Sequence, residues 1–243
     1  DNNYAHPTLT LETDSRISSH MLAFDVPHVT LKGYRAQPAG KSRKKIGSVL
    51  VIHENRGLNP HIKDVARRAA LAGYNALALD FLSPLGGTPA NEDEARALFS
   101  KLDAAQSVAN GRAALAYLKA LPNSNGKVGT VGFCWGGAMA NQLAVQAPDL
   151  NAAVSFYGMA PDTALVPQIK AHVQLHYAGL DERINASREA YEAALKAAGV
   201  DFESYLYEGK QHAFHNDVNV ARYDQASAEL AWKRTLDLFK RTL

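Results

Sequence analysis

The chain has a single cysteine, Cys134, in 243 residues. A lone thiol excludes an intrachain disulfide and any metal site built from several cysteines. Long apolar runs are also missing: none approaches the about 18 residues of a membrane-spanning helix, so no membrane partner is expected. Charge of one sign is not in excess either. The 26 basic and 24 acidic residues leave a formal net charge of +2, without the basic footprint expected of a nucleic-acid partner. There is no internal repeat, low-complexity tract or linker, and no H-E-x-x-H helix that would mark a zinc site. No signal peptide is visible, and the chain starts at Asp1 rather than methionine. The default expectation is cytoplasmic, with the periplasm open if a leader has been removed.

Along the chain, residues 1–28 are polar and weakly patterned and read as an extended N-terminal arm. The strand-like "HVTLKGYRAQP" follows, and then a solvated basic turn, "AGKSRKKIG". From there short apolar runs alternate with helical periodicity. "SVLVIHE", "NALALDF", "KVGTVGF", "AAVSFYG", "HVQLHYA" and "FESYLYE" read as strands, several nearly continuous in apolar residues, as strands covered on both faces are. Between and after them lie helical stretches such as "HIKDVARRAALAGY", "GAMANQLAVQA" and "ASAELAWKRTLDLFKRTL". Such alternation predicts an α/β fold with a mostly parallel central sheet and helices on both faces, as a single domain over 29–243.

What the sequence does have is its one thiol at a corner. In "GKVGTVGFCWGGAMANQLAV" the pattern before Cys134 is a strand and the pattern after it a helix. Gly132-Phe133-Cys134-Trp135-Gly136 fits the nucleophile elbow G-x-S-x-G with cysteine in place of serine. A side chain at either glycine would collide with neighbouring backbone, and the helix would aim its N-terminal N–H groups and positive dipole end at the sulfur, favouring thiolate. On its own a cysteine between strand and helix is more often a small buried hydrophobe. An acid and a base decide, and elbow hydrolases carry them in the order nucleophile, acid, histidine. Asp181 follows the strand "HVQLHYA" in "GLDERIN", and His212 follows "FESYLYE" in "GKQHAFHND". Both fall at the strand ends where α/β sheets bind ligands. Taken singly, Asp181 is also a helix-capping or turn aspartate and His212 a surface histidine. Glu54 and Asn55 follow "SVLVIHE", where such folds place the second oxyanion donor, so the backbone N–H groups of Asn55 and Trp135 are the expected pair.

On these residues the chain resembles the dienelactone hydrolase family, a cysteine-dependent branch of the α/β-hydrolase fold. The resemblance spans roughly residues 29–243 and is strongest in "SNGKVGTVGFCWGG", "HENRGLNPHIKDVARRAALAGY", "ALDFLSPLGGTP", "GLDERIN" and "GKQHAFHND". It implies a hydrolase of small activated esters or lactones, with Cys134 as nucleophile, His212 as general base, Asp181 as its orienter and a thioester intermediate. Glu54 matches the family glutamate that hydrogen-bonds the resting thiol. No cofactor or metal is implied, and a monomer or small homo-oligomer is expected. Two departures stand out. The family's two carboxylate-binding arginines fall at Pro84 and Asn216, neither of them cationic. Arg56 and Arg183 lie nearby in sequence, each either a substitute substrate-binding cation or a structural ion-pair partner.

Other readings fit the same residues. His212 with His215, or His53 with His61, would be candidate metal ligands. His172 and His176 sit on one face of a strand and read as satisfied core or rim histidines. An α/β-hydrolase fold serving only as a binding module, and a redox role for the thiol, are the alternatives to a hydrolase.

Overall fold

The computed structural model describes residues 10–243. Within it the chain packs as two compact units, one running to Val128 and the other Gly129–Leu243.

In the first unit, strand β1 (Ile17–Val26) pairs antiparallel with β2 (Val29–Pro38), with Pro27 and His28 between them. Proline presets its own φ, and His28 takes φ 75°, so the two residues close the hairpin. Of the arm expected over residues 1–28, residues 1–9 lie outside the described residues and 17–26 are this sheet strand. Its exposed face explains the polar look of "ISSHMLAFDV": an edge strand has little to bury. β2 pairs antiparallel with β4 (Asn75–Asp80), and β4 runs parallel to β3 (Ile46–Ile52). Gly47–Ile52 and all of β4 are buried, so successive side chains on both faces are covered, as their continuous apolar runs require.

Helix α1 (Pro60–Leu71) makes the crossover from β3 to β4. Asn59 caps it, its side chain accepting from the Ile62 N–H at 3.1 Å, and Pro60 takes the first position, where no N–H is needed. After β4 come a turn at Ser83–Leu85, a short helix α2 (Glu92–Leu98) and the long α3 (Ala104–Lys119), which packs on β3 and β4.

Strand β5 (Ser124–Phe133) carries the chain into the second unit, where β6 (Ala152–Phe156), β7 (His172–Ala178) and β8 (Phe202–Tyr207) follow, each parallel to its neighbour. Parallel neighbours need crossovers, supplied by α4 (Trp135–Gln146) between β5 and β6 and by α5 (Glu182–Asn185) and α6 (Arg188–Ala197) between β7 and β8. The final α7 (Gln225–Thr242) packs on β6 and β7. Each strand and long helix expected from the sequence is present. Additions among the described residues include β1, a 3-10 helix at Thr163–Gln168 and the single-turn α5, the last too short to show a period. No helix among the described residues is long and apolar enough to cross a membrane.

Candidate active site

The elbow is built as Gly132 predicts. Cys134 sits between β5 and α4 with φ 59° and ψ −116°, a conformation L-residues rarely adopt. A Cβ on Gly132 would run into the carbonyl of Gly136, so nothing larger than glycine fits beneath the turn. The Cys134 N–H donates to the Phe156 carbonyl at 3.0 Å, and its own carbonyl accepts from Ala138 N–H at 3.1 Å as the first bond of α4. The thiol therefore stands at the helix N-terminus, and Trp135 is the first helical residue.

Asp181 and His212 lie on loops that leave neighbouring strands and are laced together by main chain. Gly179 N–H donates to Tyr207 O at 2.9 Å, and Leu180 N–H to Lys210 O at 2.9 Å, extending the β7–β8 ladder past the ends of both strands. Asp181 stands at the N-cap of α5, yet its side chain caps nothing. Its Oδ2 accepts instead from His212 Nδ1 in a short hydrogen bond, which fixes the tautomer and leaves Nε2 for the sulfur. Burial works against a charged His212 ring, but the hydrogen bonds to Asp181 and Cys134 outweigh it and raise its pKa to about 9. The structure thus brings Cys134, His212 and Asp181 together.

Sequence patterning gave no sign of Tyr157, whose ring lies 4.9 Å from that of His212. In "SFYG" it looks like a strand end and nothing more. Its φ is 38°, and Cys134 and Ala213, next to His212, are also positive. Only one other non-glycine residue among those described shares this, His28 in the hairpin, so left-handed strain gathers at this site.

In the first unit, Glu54, Asn55 and Arg56 follow β3. Glu54 is buried at 6% exposure, which excludes a solvated loop carboxylate. Arg56 Nε lies 3.8 Å from Glu92 Oε2, a loose pair with an exposed partner, and its buried Nη1 makes no hydrogen bond. Pro84 sits in the turn after β4. Asn216 accepts from Val218 N–H at 3.0 Å, and Arg183 is exposed on α5.

Of the histidines offered as metal ligands, His212 is bonded to Asp181 and His53 is also engaged, and the strand histidines His172 and His176 are satisfied as their shared face suggests. His53 takes a backbone hydrogen bond at each ring nitrogen. His176 is buried between Tyr207 Oη, at 2.8 Å from Nδ1, and Gln174 Oε1, at 2.7 Å from Nε2. Burial, with Arg234 nearby, pushes its pKa down to about 3 against the pull of Glu203. His172 pairs with Glu203 at 3.1 Å. No group of three or more His, Cys, Asp or Glu among the described residues is placed to hold a metal ion.

The sequence profile of the dienelactone hydrolase family matches residues 31–243. A protein of Methylorubrum extorquens named "Putative carboxymethylenebutenolidase" is 33% identical over 225 residues, covering 86% of this chain and 76% of that protein. The crystal structure of a dienelactone hydrolase-like promiscuous phosphotriesterase from metagenomic libraries superposes with a TM-score of 0.82 at 25% identity, covering 93% of this chain and 99% of the other. That of a dienelactone hydrolase from Anabaena variabilis gives a TM-score of 0.74 over 94% of this chain and 99% of the other; at 22% identity it speaks for the fold alone. With the family profile spanning nearly the whole chain and solved relatives sharing its architecture, the protein belongs to the dienelactone hydrolase family and is a hydrolase of the α/β-hydrolase fold.

Proposed function

We propose that the protein hydrolyses small activated esters or lactones through Cys134 and a thioester intermediate. The observation that carries this reading is the hydrogen-bonded series Asp181–His212–Cys134, with the sulfur at a strained elbow and a helix N-terminus. With the proton held on His212, the Cys134 sulfur attacks the carbonyl carbon. Negative charge collects on the carbonyl oxygen, for which the N–H of Trp135 and that of Asn55 are the assigned donors. The C–O bond breaks, the leaving oxygen takes the proton from His212, and an acyl thioester remains. His212 then deprotonates a water that attacks the thioester, the C–S bond breaks, and the acid leaves. Asp181 holds the ring and stabilises its positive charge at both stages.

The same chemistry sets the substrate class. A thiolate leaves a tetrahedral species more readily than an amide nitrogen does, so amides return to starting material while activated esters go forward. With Pro84 and Asn216 at the aligned arginine positions, a substrate carboxylate is not required. Glu54 keeps the role that the family resemblance gives it, as hydrogen-bond acceptor for the resting thiol, and Arg56 remains the candidate cation for an anionic substrate.

Rapid quenching of a slowly deacylating ester followed by peptide mass spectrometry tests the intermediate. The acyl mass is expected on the peptide carrying Cys134. Steady turnover with no adduct there, under conditions where deacylation limits the rate, would sink the thioester route.

A further inference from the structure

The loop Glu54–Leu58 is held at both ends by side chains that the mechanism does not use. At its start stands His53, fully buried and edge-on to Phe81 and Phe99 at 5.5 and 5.7 Å. Phe81 N–H donates to His53 Nε2 at 3.0 Å, so that nitrogen carries a lone pair. The ring proton is therefore on Nδ1, which lies 2.8 Å from the Glu54 carbonyl oxygen and donates to it. Burial pushes the ring pKa below its ordinary value, against the pull of Asp80, which agrees with a neutral imidazole. At the other end of the loop Leu58 N–H donates to Thr88 Oγ1 at 2.9 Å. Thr88 in turn donates its hydroxyl to Asp80 Oδ1 and its N–H to Asp80 Oδ2, both at 2.8 Å. Gly57, at φ 75°, has no room for a Cβ against the Thr88 side chain.

The carbonyl that His53 holds, and that also accepts from Gly57 N–H at the longer distance of 3.3 Å, belongs to the same peptide unit as the Asn55 N–H. No peptide in the described chain is cis, and a planar trans peptide points its C=O and N–H in opposite directions. Fixing the one aims the other. Donation to the carbonyl also polarises the unit and makes its N–H a stronger donor. Resting on the assignment of Asn55 as an oxyanion donor, we infer that His53, in its neutral Nδ1–H form, is the positioning residue that orients and polarises the Glu54–Asn55 peptide, with Asp80 and Thr88 holding the far end of the loop. The substrate never touches any of the three.

The test compares His53→Leu, which removes the donor, with His53→Asn, whose side-chain amide lies near the place of Nδ1 and restores it. Losing an oxyanion donor outright costs about a hundredfold to a thousandfold in kcat, and misaiming one costs less. His53→Leu is expected to lower kcat for ester hydrolysis about 10- to 100-fold with KM nearly unchanged, and His53→Asn to recover much of it. Alkylation of Cys134 by iodoacetamide needs no oxyanion donor, so its rate and pH profile should match wild type in both variants. Should His53→Leu not fold, Thr88→Val against Thr88→Ser makes the same comparison at the other end of the loop, with loss in the first and recovery in the second. Unchanged kcat in the folded donor-less variant, or hydrolysis and alkylation falling together, would overturn the assignment. A Cys134→Ala control keeps the two levels apart. Hydrolysis surviving there removes the thiol mechanism itself, whatever His53 does.

Discussion

Asp181 occupies the N-cap of a helix without capping it, because its carboxylate is turned to Nδ1 of His212. An aspartate at that position ordinarily stabilises its helix by about 1 kcal/mol through the backbone N–H groups. Here the helix is a single turn with Ile184 as its one buried residue, and it forgoes that bond. The main-chain ties from Gly179 to the end of β8 and from Leu180 to the loop after it hold the two side chains together. The imidazole is consequently oriented before any substrate arrives.

Cys134→Ala should abolish ester hydrolysis and leave the melting temperature close to wild type, since the lost atom lies at a partly exposed corner. Cys134→Ser should also be poor, because a serine hydroxyl ionises several pKa units higher than a thiol. Circular dichroism beside an ester assay checks both. Hydrolysis persisting in the alanine variant would remove Cys134 from the mechanism.

The His212–Asp181 pair predicts a pH dependence of stability. His212 rises from an ordinary value of 6.5 to about 9 in the folded chain. Between those values the native state holds a proton that the unfolded state has released. The contribution is therefore fully present below about pH 6.5 and is lost as pH climbs through about 9, amounting to at most about 3 kcal/mol. Melting temperature should fall across that window. In Asp181→Asn the slope should flatten, and hydrolysis should drop by about a hundredfold or more. A slope unchanged by the substitution would mean that His212 is not the group responsible.

Gly132→Ala should be among the most disruptive single-methyl changes in the chain. Its Cβ would overlap the Gly136 carbonyl in the first turn of α4, and backbone cannot move aside as a side-chain tip can. Overpacking of this kind costs about 1–3 kcal/mol or more. Chemical denaturation should show the loss, and Cys134 should alkylate at an altered rate because the turn that presents it has shifted. Wild-type values for both would show that the turn is less tightly built.

Substrate charge gives a fourth test. Proline and asparagine at positions 84 and 216 supply no cation, so neutral lactones should be turned over at least as well as their carboxylate analogues. Arg56 offers little to displace, since an exposed pair at 3.8 Å is worth well under about 1 kcal/mol. A strong preference for the acid that vanishes in Arg56→Ala would identify that residue as a relocated carboxylate anchor.

The local features of this protein were legible in its sequence because each is a short-range steric or periodic matter. Continuous apolar runs gave the buried strands β3 and β4, helical periodicity from His61 on gave α1, and glycine at 132 gave a turn that tolerates no side chain. The chain order of Cys134, Asp181 and His212 was likewise visible. Three other matters were decided only by tertiary structure. β1 escaped notice because an edge strand has little to bury and so shows little pattern. Whether Asp181 caps its helix or holds His212 depended on two loops, 31 residues apart in sequence, being laced together by β7 and β8. His53 looked like a possible metal ligand until Phe81, from a different strand end, claimed its second nitrogen. Backbone sterics and hydrophobic period act over a few residues and can be read along the chain, whereas the partner of a hydrogen-bonding side chain is whatever the completed fold sets beside it.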